Sequence, residues 1–269
     1  MMDSQDFLSR IIEARRRTVA RDSAARPLAD IRAGAFAARE DARTHVLRLA
    51  LSREGTTNII AEIKRASPSK GELRGDAEPV ELARSYERGG AAAISVLTEE
   101  EFFRGSLQDL CDVREATTLP VLRKDFIVDE WQVYESAGAG ADALLLIVAA
   151  LDDATLAHLL RLTEDELGMD ALVEVHTGEE LSRAQTCGAR IVGVNNRNLR
   201  TFVVSLETSF ELARLAASDL LLVSESGLKT HDDLERLAAV GFKGFLIGET
   251  LMRSDEPEES LRELTAKLN

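Results

Sequence analysis

The stretch ADALLLIVAALDDATLAHLLRLTEDELGMDALVEVHTGEELSRAQTCGARIVGVN, residues 141–195, alternates two patterns. Residues 141–148, 171–175 and 191–195 are short, nearly continuous aliphatic runs, as strands buried on both faces are. The intervening DDATLAHLLRLTEDELG and TGEELSRAQTCG are amphipathic, open on Asp or Thr and close on Gly, residues that cap helices. Strand, helix, strand, helix, strand in this order predicts parallel pairing through crossover helices.

Working outward, the same unit recurs in both directions. Strands are predicted at 58–64, 91–97 and 120–124 upstream and at 220–224 and 245–248 downstream, with helical patterns such as PVELARSYERGG and THDDLERLAAVG between them. That makes eight strand-helix units, each of roughly 20 to 33 residues, the signature of a closed (β/α)8 barrel. A five- or six-stranded doubly wound sheet is the rival, but it leaves two or three units unplaced. The predicted fold class is therefore α/β, a TIM barrel forming one domain over residues 1–269. The first 52 residues read as a helical extension, with helices predicted at 5–21 and 41–52 and the run RRR at 15–17 taken as a solvated face. The acidic stretch 255–259 reads as the start of the last helix, with Pro257 in its first turn.

Composition narrows the function. Hydrophobic residues make up 45% of the chain and aromatics only 4%, so the core is aliphatic. A net charge of −14 would repel a phosphate backbone, which argues against nucleic acid as a partner. Cys111 and Cys187 lie far apart without metal-ligand spacing and read as reduced thiols of a cytoplasmic protein. The N-terminal segment lacks the apolar core of about 7 to 15 residues that a signal peptide needs, and no later run reaches membrane-spanning length. Neither a metal nor an organic cofactor is expected, because no metal-ligand pattern and no nucleotide fingerprint occurs; His45, His158, His176 and His231 are scattered and read as structural or surface residues.

Chemistry is expected where ionisable residues interrupt the apolar strands at their C-terminal ends, since a barrel builds its active site there. In IIAEIKRASPSKG, Glu62 and Lys64 are two apart and share a face. VLRKDF presents Lys124, LVEVH presents Glu174, and VGVNNRNL presents Asn195 and Arg197. A single Lys or Glu at a strand end is ordinarily a surface charge or half of an ion pair. Two lysines, two carboxylates and an amide at the same end of separate strands point instead to one concave acid-base site. Arg123 and Asp125 alternate away from Lys124 and read as structural. The last two units end in LLLVSESGLKT and FLIGETLM, where Ser226, Gly227 and Gly248 offer strand-to-helix turns of the kind that cradle a phosphate. On the residues alone, a lysine acid, a Schiff-base lysine, a sugar-phosphate isomerase and a barrel kept only for binding stay open.

The segments IIAEIKRASPSKG, ISVLTEEEFFRGS, VLRKDFI, LVEVH, VGVNNRNL, VSESGL and LIGETLM resemble the indole-3-glycerol-phosphate synthase family over residues 58–252. The resemblance places the N-terminal helical extension over the barrel mouth and implies a phosphorylated small-molecule substrate, 1-(2-carboxyphenylamino)-1-deoxyribulose 5-phosphate, closed to an indole with loss of carbon dioxide and water. It implies Lys124 as general acid, Lys64 on the substrate carboxylate, Glu174 as acid or base of the dehydration, Glu62 orienting the lysines, and Asn195 and Ser226 among the catalytic groups. It further implies Ser67, Arg197 and Glu225 as substrate contacts; Phe103, Phe126, Leu145 and Leu199 around the anthranilate ring; and Ser226, Gly227, Gly248 and Glu249 at the phosphate. Oligomeric state and association with other pathway enzymes stay undetermined, a monomer being the working expectation.

Overall fold

The structure is a computed structural model and describes residues 5–68, 70–198 and 201–266. Eight strands, Asn58–Ile63, Ala93–Leu97, Val121–Lys124, Ala143–Ile147, Asp170–Val175, Ile191–Asn195, Leu221–Glu225 and Phe242–Ile247, close into a barrel. Each pairs in parallel with the next, and the first pairs with the eighth, Ile59 opposite Phe245 and Glu62 opposite Ser95 of the second. Closure removes the doubly wound alternative.

The helices between strands are begun by the side chains the sequence offers for that purpose. Asp152 accepts from the Thr155 amide, Thr177 from the Glu180 amide, and Thr230 with Asp233 forms a reciprocal capping box. Gly188 and Gly241 follow two of these helices with φ of 94° and 108°, a left-handed turn that a side chain would resist. The last helix, Pro257–Thr265, begins on Pro257. None of the described helices is long and apolar enough to cross a membrane.

Strand periodicity sorts the barrel residues into two sets. Ile59, Ala61, Ile63, Ile94, Val96, Val173 and Val175 face outward and pack under the helices. Ile60, Ala93, Leu122, Ala143, Leu172, Ile191, Leu221 and Val223 belong to the inner core. On the first, third, fifth and seventh strands this two-residue rhythm leads upward from Ile60, Leu122, Leu172 and Val223 to Glu62, Lys124, Glu174 and Glu225. The same alternation that fills the barrel thus delivers the ionisable residues to its mouth.

The extension forms three helices: α1 (Gln5–Ala25), α2 (Leu28–Arg39) and α3 (Val46–Leu51). The expected pair at 5–21 and 41–52 thus misses α2 and overextends α3. α3 inserts Leu47 and Leu51, both fully buried, among the inner barrel residues at the lower end. Burial of each is worth about 1.5–3 kcal/mol. The barrel holds α3 at both ends: Asp170 accepts from the Arg48 amide at 2.9 Å, and Asn58 donates to the Leu51 carbonyl at 2.8 Å. α1 crosses the upper end with Ile11, Ile12, Ala14 and Val19 buried.

The solvated reading of RRR holds for Arg16 and Arg17 but not for Arg15, which is only 5% exposed. Its guanidinium meets Asp125, just past the C-terminal end of the third strand, at 2.8 Å. Trp131 packs in the helix Glu130–Gly138 and donates to the Arg26 carbonyl at 3.0 Å, joining the extension to the barrel wall.

Candidate active site

Lys124 ends the third strand with its Nζ between two carboxylates, 3.2 Å from Glu174 Oε2 and 3.3 Å from Glu225 Oε2. Across the mouth, Lys64 ion-pairs with Glu62 Oε1. Asn195 accepts from the Arg197 amide at 3.0 Å, which fixes its side chain at the end of the sixth strand. The backbone makes room for two of these carboxylates: a Cβ on Gly193 would overlap Glu225 Oε1, and one on Gly248 would overlap Glu62 Oε1.

The pair flanking Lys124 is pushed in opposite directions. Burial works against every ion here, but Glu225, Glu174 and Glu62 outweigh it for Lys124 and hold the ammonium well above the usual lysine range. Burial would also raise Glu174, yet Lys124, His176 and Asn195 overcome it and keep that carboxyl well below its ordinary value. Glu225 has Lys124 but no second cation. Burial dominates and, with repulsion from Glu174 and Glu62, pushes its carboxyl up to about 7. Its Oε1 has no hydrogen-bond partner among the described residues. One lysine thus stands between a carboxyl held low and one pushed up toward neutrality, an arrangement suited to acid-base work.

A cavity of 440 Å³ opens above these groups. Glu62, Lys64, Lys124, Glu174, Asn195, Arg197 and Glu225 line it with Ser67, Phe103, Phe126, Leu145, Ser226, Gly227, Gly248 and Glu249, so the sequence-predicted residues converge on one site. Leu199 lies outside the described residues. Phe103 and Phe126 stand 6.0 Å apart between ring centroids, tilted by 38°. Ser226 and Gly227 carry φ of 68° and 84° in the turn after the seventh strand, the first unusual for a residue with a side chain. Glu249 gathers Arg253, Lys70 and Arg197 at 3.4, 3.5 and 3.7 Å, a set of cations at the rim.

Several residues of the site were not anticipated. Phe7, Leu8 and Ile11 of α1 roof the cavity, and Phe202, Lys229 and Arg253 join its wall. Phe7 meets Phe102 and Phe202 edge-on at 5.6 and 5.7 Å, so two loops clasp the roof helix. Asn196, beside Asn195 but facing the other way, is buried and donates to Ser224 Oγ at 2.9 Å and to the carbonyls of Glu225 and Ser226 at 3.0 and 3.2 Å, fixing the strained turn. His176 is nearly buried, 3.3 Å from Glu174. Strand periodicity carries signals for two of these, since His176 follows Glu174 by two and Asn196 takes the opposite face from Asn195.

Solved structures share the fold at low identity. 3-Hexulose-6-phosphate synthase from Salmonella typhimurium aligns with a TM-score of 0.63 at 13% identity, covering 77% of this chain and 96% of that one. KGPDC from Streptococcus mutans aligns at 0.61 and 15%, covering 78% and 95%. In sequence, the chain is 45% identical over 268 residues to the indole-3-glycerol phosphate synthase of Carboxydothermus hydrogenoformans (strain ATCC BAA-161 / DSM 6008 / Z-2901), spanning 97% of this chain and 100% of the relative. The sequence model of indole-3-glycerol phosphate synthase matches residues 8–264. With both matches running nearly end to end, the chain belongs to the indole-3-glycerol phosphate synthase family, carboxy-lyases of tryptophan biosynthesis.

Proposed function

We propose that Lys124 is the proton donor of ring closure as 1-(2-carboxyphenylamino)-1-deoxyribulose 5-phosphate becomes indole-3-glycerol phosphate, carbon dioxide and water, with Glu174 the base of the later dehydration. The observation that carries this reading is the placement of Lys124 between Glu174 and Glu225. Attack of the aromatic carbon bearing the carboxylate on the ketone forms one C–C bond and puts charge on the ketone oxygen. A buried ammonium both stabilises and neutralises that charge. The nitrogen, which gave its lone pair to the ring as the C–C bond formed, regains a pair as the C–carboxylate bond breaks and carbon dioxide leaves. In the last step the new hydroxyl departs as water with one proton while a base removes the adjacent C–H proton. Glu174, held ionised, fits the base, and Glu225, protonated near neutrality, fits a second acid.

Lys64 would meet the substrate carboxylate, with Glu62 holding it in place. The anthranilate ring would lie against Phe103 and Phe126 beside Leu145, and the phosphate at Ser226, Gly227, Gly248 and the Glu249 backbone, near Arg197 and with Ser67 on the facing loop. Two free thiols, Cys111 and Cys187, fit a cytoplasmic setting, and a monomer would suffice for a site that draws these residues from one chain. The test is growth of indole fluorescence from purified protein and this substrate, repeated with Lys124→Met. Loss of turnover by a factor of about 100 or more with substrate affinity largely retained is expected. Near-normal turnover in the variant would overturn the assignment.

A further inference from the structure

His176 follows Glu174 by two on the fifth strand and stands just outside the cavity lining. Its Nε2 lies 3.3 Å from Glu174 Oε1, and its Nδ1 lies 3.1 Å from Glu180 Oε2 in the first turn of the helix Gly178–Thr186. The His176 backbone amide donates to the same Glu180 oxygen at 2.7 Å, so Glu180 is itself anchored. The imidazole side chain is 10% exposed. A neutral imidazole carries one lone pair, and with a carboxylate on each ring nitrogen that lone pair would face an anion. Only the imidazolium sets a positive ring between the two, hydrogen-bonded to Glu180 through Nδ1 and at ion-pair distance from Glu174, to which Nε2 makes no aligned hydrogen bond. Burial opposes that form, but Glu174 and Glu180 outweigh it and raise the ring to about 10.

We infer that His176 is a positioning residue: bridging Glu174 and Glu180, it holds Glu174 in place as a carboxylate, so that Glu174 rather than Glu225 is the base beside Lys124. The two oxygens of Glu174 are divided between cations, Oε1 toward His176 and Oε2 toward Lys124. Glu225 touches the same lysine with Oε2 and has nothing on Oε1. The other charges facing this pair are Glu62 and Lys64 from the first strand; Asn195 from the sixth is neutral. His176 is therefore the charged group, beside the neutral Asn195, that distinguishes Glu174 from Glu225, and it acts through Glu174 without reaching the reacting atoms. The inference rests on the reading of Lys124 as acid and Glu174 as base.

The test is the pH dependence of kcat and KM for His176→Gln, which keeps an N–H donor but loses the charge, beside Glu180→Gln and Glu174→Gln. Removing an opposite charge at this range raises a carboxyl by about one to three units, so the acidic limb of kcat should move up by about one pH unit or more. At neutral pH, where Glu174 stays ionised in His176→Gln, lost placement of the carboxylate should lower kcat by up to about tenfold with KM within about twofold, a loss confined to the transition state. Glu180→Gln should move the limb the same way by less, and it reads the same effect if His176→Gln does not fold. An unmoved acidic limb in the folded variants, with or without a loss of kcat, would overturn the inference, since a purely structural histidine would not set it. Glu174→Gln separates the two levels: near-normal turnover there would overturn the base assignment itself, whatever His176 does.

Discussion

Arg15 of α1 and Asp125 of the barrel meet at 2.8 Å, both almost wholly buried, and Asp125 directly follows Lys124 in the chain. Asp125 is also held by Arg123 at 3.0 Å and Thr98 at 2.6 Å, and Arg123 by Glu135 at 2.8 Å. The roof helix is therefore tied to the segment that carries the proposed acid.

Replacing Arg15 should loosen that tie without emptying the network, since Arg123 and Thr98 stay on Asp125. Loss of one charge-assisted hydrogen bond costs about 1.5–3 kcal/mol. Arg15→Ala is expected to lower the melting temperature, speed tryptic cleavage at the exposed Arg16 and Arg17, and raise KM, because Phe7, Leu8 and Ile11 line the cavity. Unchanged proteolysis and KM would show that α1 is held by its apolar face alone.

The raised carboxyl of Glu225 makes stability depend on pH in a definite direction. Folded, it titrates at about 7; unfolded, near its ordinary value of 4.5. The native state thus binds the proton more tightly, and stability falls as pH rises from the lower value to the higher. His176, raised to about 10, contributes stability that is complete below its unfolded value of 6.5 and lost as pH climbs through 10. Melting curves across the pH range should therefore flatten on the lower branch in Glu225→Gln and on the upper branch in His176→Gln. Parallel curves for wild type and Glu225→Gln would refute the lower branch.

Gly193 tests how much of the site depends on backbone clearance. A methyl group there would overlap Glu225 Oε1, and the flexible carboxylate end, not the barrel, would give way. Gly193→Ala should therefore keep its fold and lose about 10- to 100-fold in kcat, the scale of a misplacement near 1 Å. Gly138→Ala, where an added Cβ meets nothing within 4 Å, should keep full activity. Wild-type rates in Gly193→Ala would mean that Glu225 has no fixed place in the reaction.

The eight strands were legible because each is apolar on both faces, and their ends were off by a few residues where that rule fails. The eighth runs from Phe242, not 245, since Lys243 points to solvent and the pairing slips between Phe242 and Gly244. The seventh continues to Glu225, whose charge hid it at the end of an apolar run. The short antiparallel pair Ala66–Ser67 and Gly71–Glu72 carries no pattern at all, being two residues a side. α2 escaped because its apolar face is thin, with Ile31 and Ala35 buried and Leu28 and Phe36 exposed. Lys64, Lys124, Glu174 and Asn195 were readable from strand ends. Arg15 and Asp125 were not, because 110 residues separate them and neither sits in a motif that names the other.

Leu47 and Leu51 have a consequence for traffic. With α3 plugging the base, the described residues leave the site open at the upper end, where Phe7, Leu8 and Ile11 of α1 lie along it. On the proposed chemistry, carbon dioxide released beside Lys124 would leave by the same end as the indole product. The contacts of Phe7 with Phe102 and Phe202 that clasp α1 would then bear on how quickly the site empties.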